Sequence, residues 1–320
     1  MGRPRSRPAQ SRARPRRTSC VRKAAFGLFD EQPEASAGAG LAVPVRLVAG
    51  PCVFLAGTAL AAPQAVLTGL AVILAGYVAV ISASRLAAAL IPPRFSARRL
   101  LSDEALPTMT VIVALYREAG IVAALAASLS RLDYPRDRLQ VLLALEADDT
   151  ETVAAARSIA RRSGVTVLVL PACGPRTKPR ALNYALQAAV GDLVAVYDAE
   201  DAPHPRQLRA AAEAFAADNR LAVVQAPLNW YNGTQNWLTR QFALEYAAQF
   251  NALLPLYVRL GWPLPLGGTS NVFRRDRLEA AGGWDPFNVT EDADLGFRLA
   301  RNGWSAGMIR PGTGEEAPVS

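Results

Sequence analysis

The sequence predicts an α/β protein: an open, largely parallel sheet covered by helices on both faces, preceded by two apolar helices. Three observations carry this. From Met109 onward, short apolar strand-like runs alternate with amphipathic helical ones, the signature of successive βα units. Ahead of them lie two charge-free apolar runs, "LVAGPCVFLAGTALAA" (47–62) and "AVLTGLAVILAGYVAVISA" (65–83). The polar and charged residues of interest also cluster where strands end, which is where open α/β sheets bind ligands.

Residues 1–40 are rich in Arg, Pro, Ser, Ala and Gly and lack a core-forming pattern. They are expected to be a disordered basic tail. Its place just before apolar segments favours a topology signal over a nucleic-acid arm, and it is too long for a cleaved signal peptide. The net charge of +8 is unevenly spread: residues 1–100 carry 14 Lys+Arg and 3 Asp+Glu, the remainder 21 and 24. The main globular part is mildly acidic, so no nucleic-acid partner is expected. Cys20, Cys52 and Cys173 match neither a metal spacing nor a disulfide framework.

A membrane span needs about 20 apolar residues. The second apolar run qualifies, and the first does so only if extended back past Arg46. With Pro63-Gln64 as a turn, residues 41–91 read as a transmembrane helical hairpin, since neither run has a polar face. Arg85, Arg94, Arg98 and Arg99 follow. Positive charge on both flanks places both ends in the cytoplasm, predicting a multi-pass inner-membrane protein with a cytoplasmic domain beyond a linker at 92–106.

Strands are then expected at 109–116, 139–147, 165–172, 192–199 and 221–228. Helices are expected at 123–132, 149–162, from near Lys178, and at 205–217. The fourth strand ends in "VYDAED", with Asp198, Glu200 and Asp201 within four positions. A hard divalent cation, Mg²⁺ or Mn²⁺, prefers such carboxylates and completes its shell with substrate phosphates. Asp198 and Glu200, at i and i+2 of a strand end, point the same way and share one ion in this reading, while Asp201 caps the following turn or helix. Lys178 and Arg180, near a helix start and joined by Arg176, supply positive charge for a phosphate or ribose. Downstream, Thr290 is placed to cap a helix carrying Glu291, Asp292 and Asp294 in its first turn. Acids suit any helix N-terminus, yet a carboxylate beside the small-residue stretch "PLGGTS" is also a natural general base. His204, between two prolines, reads as a loop residue, leaving acid–base work to carboxylates.

Taken together, "PTMTVIVALYREA", "KPRALNYAL", "VYDAEDAPHPRQL", "PLGGTSNVFRRDRLEAAGGWDPFNVTEDADLGFRLARNGW" and "GEEAP" resemble the membrane-bound family 2 glycosyltransferases, the group of cellulose, hyaluronan and chitin synthases. The resemblance covers about residues 107–317. It implies a GT-A (Rossmann-like) fold and metal-dependent, inverting transfer of a sugar from a nucleotide-sugar donor to a glycan or other hydroxyl acceptor. On that resemblance Asp198 and Glu200 take the metal-binding D-x-D place, Asp292 is the catalytic base and Lys178 lies along the donor. Glu146 or Asp148 contacts the nucleoside, "LEADDTET" standing where "DDGSTD" is usual. Family habit favours UDP-glucose or UDP-N-acetylglucosamine. The aromatic stretch 229–257 reads either as a sugar-binding amphipathic helix or as a docking surface. The Gln-x-x-Arg-Trp motif that follows "EEAP" in processive members is not in the sequence, so 107–320 is expected to be a C-terminally incomplete GT-A domain. The alternative reading is a subunit that binds nucleotide sugar without turnover.

Overall fold

A computed structural model describes residues 14–40, 45–317 and 319. Its helices are α1 (Arg14–Glu31), α2 (Val45–Ala61), α3 (Pro63–Leu90), α4 (Val122–Ser130), α5 (Thr150–Ser163), α6 (Lys178–Leu186), α7 (Gln207–Ala217), α8 (Trp237–Ala248), α9 (Leu254–Leu260), α10 (Arg275–Ala280) and α11 (Glu291–Arg301). Its strands are β1 (Met109–Leu115), β2 (Leu139–Glu146), β3 (Thr166–Leu170), β4 (Leu193–Tyr197), β5 (Ala202–Pro203), β6 (Leu221–Gln225), β7 (Leu228–Trp230), β8 (Asn271–Arg274), β9 (Ser305–Met308) and β10 (Thr313–Glu315).

Seven strands form one sheet in the order β3-β2-β1-β4-β8-β6-β9. Parallel pairing runs from β3 through β2 and β1 to β4 and joins β6 to β9, with β8 antiparallel between β4 and β6. The central strands are apolar on both sides because helices cover both faces. Val111 and Val113 pack with Leu125, Ala156 and Phe215 on one face; Ile112 packs with Leu182, Phe273 and Leu299 on the other. Each such fully buried aliphatic side chain contributes about 1.5–3 kcal/mol.

The register sets the site. Leu115 pairs with Leu145 and Val113 with Tyr197, so the chain leaves β1, β2 and β4 along one edge. Tyr116–Glu118, Glu146–Asp149 and Asp198–Asp201 all lie there. The strand expected at 221–228 divides: β6 ends at Gln225 and β7 joins a small second sheet, β5-β10-β7. Pro227 lies in the break, and a proline cannot donate to a ladder.

Two expectations about the N-terminal region are corrected. Residues 14–40 are not a disordered tail: α1 packs against α6, and Val21, Ala24, Ala25 and Leu28 are buried. Their spacing is that of one helical face, embedded in an Arg-rich segment whose composition obscured it. Residues 1–13 lie outside the described residues. Among the described residues there is also one helix long and apolar enough to cross a membrane, α3. The apolar part of α2, Leu47–Ala61, is shorter than a span requires and contains Pro51. A two-span hairpin and a multi-pass topology are therefore not supported.

Candidate active site

Past the ends of β1, β2 and β4 lies a cleft of about 370 Å³, lined among others by Tyr116, Glu118, Glu146, Lys178, Asp198 and Glu200. Asp198 and Glu200 do not sit at i and i+2 of a strand. β4 ends at Tyr197, and both acids lie in the turn after it. That turn is built on Asp201, which is buried. Its carboxylate accepts the Asp198 backbone N–H at 2.8 Å and the Thr269 hydroxyl. Burial pushes the Asp201 pKa up to about 8, against the Thr269 hydrogen bond, with the charge of Asp198 adding to the rise. Asp201 thus shapes the turn that precedes it and does not cap the helix that follows, since α7 opens after Arg206 without a side-chain cap.

Lys178 opens α6, and its Nζ lies 2.5 Å from Asp198 Oδ1 while donating to the Gly268 carbonyl at 2.6 Å. Burial works against its charge, but Asp198, Asp292 and Glu291 outweigh that and hold its pKa above the ordinary value. Asp292 stands in the first turn of α11, 6% exposed, and its Oδ1 accepts the Trp284 indole N–H at 3.0 Å. Burial raises its pKa to about 7; Lys178 and the indole pull it back, while Glu291 and Asp198 push it up. Gly268 marks how close these groups come. A Cβ there would lie 3.7 Å from Asp292 Oδ2 and 4.0 Å from Lys178 Nζ. Lys178 is therefore paired to the turn after β4 and stands near the first turn of α11, whose acids act on it through space.

Other residues singled out in the sequence have different surroundings. Arg180 does not face a phosphate site: it is 0% exposed, paired with Glu146, and donates to the Cys173 carbonyl. Glu146 reaches the cleft wall with its carboxylate already committed to Arg180. Asp148 pairs with Arg176 at 2.5 Å and lines a neighbouring cleft of about 570 Å³ with Tyr116, Arg117 and Thr152. Asp149 caps α5, accepting the Thr152 N–H at 3.2 Å. Thr290 occupies the N-cap position of α11 without capping it; its hydroxyl bonds Asn288. The stretch 229–257 is not one helix: β7, α8, a π-helical turn (Gln249–Leu253) and α9 divide it. Trp230, Tyr246 and Phe250 stack inward at centroid distances of 4.5 and 5.4 Å, while Tyr231 and Trp237 stay exposed.

The sequence marks Glu118 among the charged residues at a strand end but assigns no role to it, to Glu315 or to Trp284. Burial pushes Glu315 up to about 7, reinforced by the charges of Asp198 and Glu200. Burial raises Glu118 as well, with the same two acids adding to it. A cleft whose acids raise one another in this way holds uncompensated negative charge and suits a cation. No group of three or more His, Cys, Asp and Glu in ligating positions occurs among the described residues. A Mg²⁺-like ion needs only one or two carboxylates when phosphates complete its shell, and Asp198 and Glu200 both line the cleft.

Fold and cleft together define a GT-A-type transferase domain. The chain belongs to the glycosyltransferase-like family 2, whose model matches residues 107–310. It is 28% identical over 214 residues to a beta-monoglucosyldiacylglycerol synthase of Synechocystis sp., covering 66% of this chain and 44% of that protein. It is 27% identical over 210 residues to the cellulose synthase 1 catalytic subunit of Komagataeibacter xylinus, covering 64% and 27%. The chain thus spans less than half the length of either relative. The structure of a mannosyltransferase from Pyrobaculum calidifontis, in complex with GDP-Man and Mn²⁺, superposes with a TM-score of 0.60 at 23% identity, over 78% of this chain and 68% of that one.

Proposed function

We propose that the protein transfers a sugar from a nucleotide sugar, of the UDP-sugar class, to a hydroxyl of a glycan or other acceptor, inverting the anomeric carbon. The observation that carries this is Lys178, which pairs with Asp198 of the acidic turn and also lies within electrostatic reach of the buried Asp292. One side suits a diphosphate, the other a hydroxyl about to lose its proton.

In this reading the acceptor hydroxyl lies against Asp292, whose raised pKa makes it a serviceable base near neutral pH. Asp292 takes the hydroxyl proton as the acceptor oxygen bonds to the anomeric carbon. The bond from that carbon to the diphosphate oxygen breaks on the opposite face, and the electron pair leaves with the nucleoside diphosphate. The Trp284 N–H keeps the Asp292 carboxylate oriented. Lys178, released from Asp198, stabilises the leaving diphosphate. Asp198 and Glu200 would hold Mg²⁺ or Mn²⁺, which when bound neutralises the departing diphosphate. Asp148 is proposed to contact the nucleoside, and Glu146 to act through Arg180 on the shape of the cleft wall. The relatives include, by name, a glucosyldiacylglycerol synthase and a cellulose synthase subunit, so the acceptor is proposed only as a hydroxyl compound. Arg94, Arg98 and Arg99 after α3 favour a membrane protein with this domain on the cytoplasmic side.

The test is transfer from labelled UDP-sugars by membranes carrying the protein, with and without Mg²⁺ or Mn²⁺, beside Asp292→Asn. Metal-dependent product that vanishes in the variant is expected. Donor binding with no turnover would replace this reading by that of a nucleotide-sugar-binding subunit.

A further inference from the structure

The loop between α10 and α11 carries Trp284 to Asp292, and part of what holds it comes from the other end of the chain. Asp285, next to Trp284, is 0% exposed. Its carboxylate accepts the Ala37 N–H at 2.6 Å and the Ser36 hydroxyl at 3.0 Å; its own loop adds the Phe287 N–H at 3.1 Å. No ion pair to Asp285 occurs among the described residues. Two of these three donors therefore belong to a segment almost 250 positions away in sequence.

The same segment grips the loop at three further points. Phe26 and Phe29 pack on Phe287 with centroids 5.7 and 6.1 Å apart. Leu28 lies beneath Gly282, which has φ +81°; a Cβ there would come within 2.6 Å of Leu28 Cδ1. Asn183 of α6 donates to the carbonyls of both Ala24 and Trp284, at 3.2 and 2.7 Å, and accepts the Trp284 N–H at 3.0 Å. The indole that contacts Asp292 is thus fixed from behind by α6 and, through Asp285, by Ser36 and Ala37.

We propose that Val21–Gly40 is a positioning brace for the base, with Ser36 and Ala37 as positioning residues that act on Asp292 through Asp285 and Trp284. A buried carboxylate stripped of its donors pays the full cost of desolvation, so without the brace the Asp285 loop moves toward water and carries the indole with it. Small displacements of a group that orients a reacting side chain cost rate out of proportion to their size. This rests on the proposed role of Asp292; the hydrogen bonds of Ser36 and Ala37 go to Asp285 and not to the donor-side Lys178, Asp198 or Glu200.

Ala37→Pro in the whole 320-residue chain, in membranes, breaks the bond to Asp285. Ala37 is the first residue of a 3-10 turn, and Ser36 before it is extended, at φ −107° and ψ 135°. Proline fits the backbone of such a position, removes the N–H and sets its ring carbon against the Asp285 carboxylate; Ala37→Gly keeps the N–H. Arg22→Ala, on the exposed outer face of α1, is the control. Ala37→Pro is expected to lower kcat roughly tenfold with donor KM unchanged, and Ser36→Ala/Ala37→Pro to lower it further. Hydrogen exchange of the 282–290 amides should quicken by about tenfold in the same variants, while the strands of the large sheet keep their protection. Ala37→Gly and Arg22→Ala should match the parent. An unchanged kcat, a raised donor KM with kcat intact, or exchange that quickens across the whole sheet would overturn the brace. Should the parent transfer no sugar, the proposed function fails, and the exchange measurement still decides whether Ser36 and Ala37 hold the loop.

Discussion

Lys178 and Arg180 stand two residues apart on α6, and each meets a carboxylate, yet the two pairs differ in almost every respect. Arg180 and Glu146 are closed off from solvent, the Glu146 carboxylate at the cleft wall is committed to the guanidinium, and the guanidinium is also bonded to the Cys173 carbonyl. Lys178 and Asp198 are open, with side chains 28% and 30% exposed, and the ammonium faces Asp292 as well. A pair that is sealed can only hold the cleft wall in shape. A pair that is open, and has a second carboxylate waiting, can exchange its partner for an anion. The comparison separates what builds the site from what acts in it.

The sharpest test removes the second carboxylate. Asp292→Asn is expected to lower transfer by about 10²- to 10⁴-fold, the range for loss of a general base, while thermal stability and donor binding stay near the parent's. Steady-state kinetics beside a melting curve reads both. Loss of donor binding in this variant would place Asp292 on the donor side of the cleft, with Lys178 and Asp198. The sealed pair should respond in the opposite way. Arg180→Met leaves Glu146 buried without a partner and should cost about 3–5 kcal/mol of stability. Adding Glu146→Leu removes the stranded charge and should restore most of it. Denaturant titration of the two variants checks this. If the single variant were as stable as the parent, Arg180 and Glu146 would not be the closed structural pair that their burial implies.

Part of this contrast was open to sequence reasoning. Residues i and i+2 of a helix point about 200° apart, so Lys178 and Arg180 could not both face one ligand once α6 was placed there. The parallel strands were readable because each is an apolar run bounded by charge: β1, β2 and β4 begin and end within two residues of expectation. The stripe Val21, Ala24, Ala25, Leu28 was equally present, but arginine-rich composition outweighed periodicity in that reading. Other features had no local signal. The antiparallel insertion of β8 between β4 and β6, and the contact of Trp284 with Asp292, depend on which distant segments meet. The turn after β4 depends on Thr269, 68 positions beyond its partner Asp201.

The open pair can be probed more gently. Lys178→Met should raise the donor KM by about tenfold to a hundredfold, as expected for loss of a charged hydrogen-bond donor, with little change in melting temperature because Lys178 is not sealed in. Isothermal titration with the donor nucleotide would show the same loss of affinity. A variant with full affinity would mean that Lys178 never leaves Asp198.

The smallest effect is on pH dependence. The pKa of Asp292 stands at about 7, raised chiefly by burial, where an ordinary Asp lies near 3.9. Only the ionised carboxylate can accept a proton, so kcat should climb as pH rises and reach half its plateau near pH 7. The indole N–H of Trp284 stabilises that ionised form. Trp284→Phe keeps a ring in the core but removes the donor, so the pKa should rise and the limb should move to higher pH by roughly one unit. Lys178, Glu291 and Asp198 also face the carboxylate and are untouched by the substitution. A limb that stayed in place would show that the indole hydrogen bond does not set the ionisation of Asp292, leaving it to burial and the neighbouring charges, Lys178 foremost. The open side of the site would then depend on those charges and not on the hydrogen bond behind it.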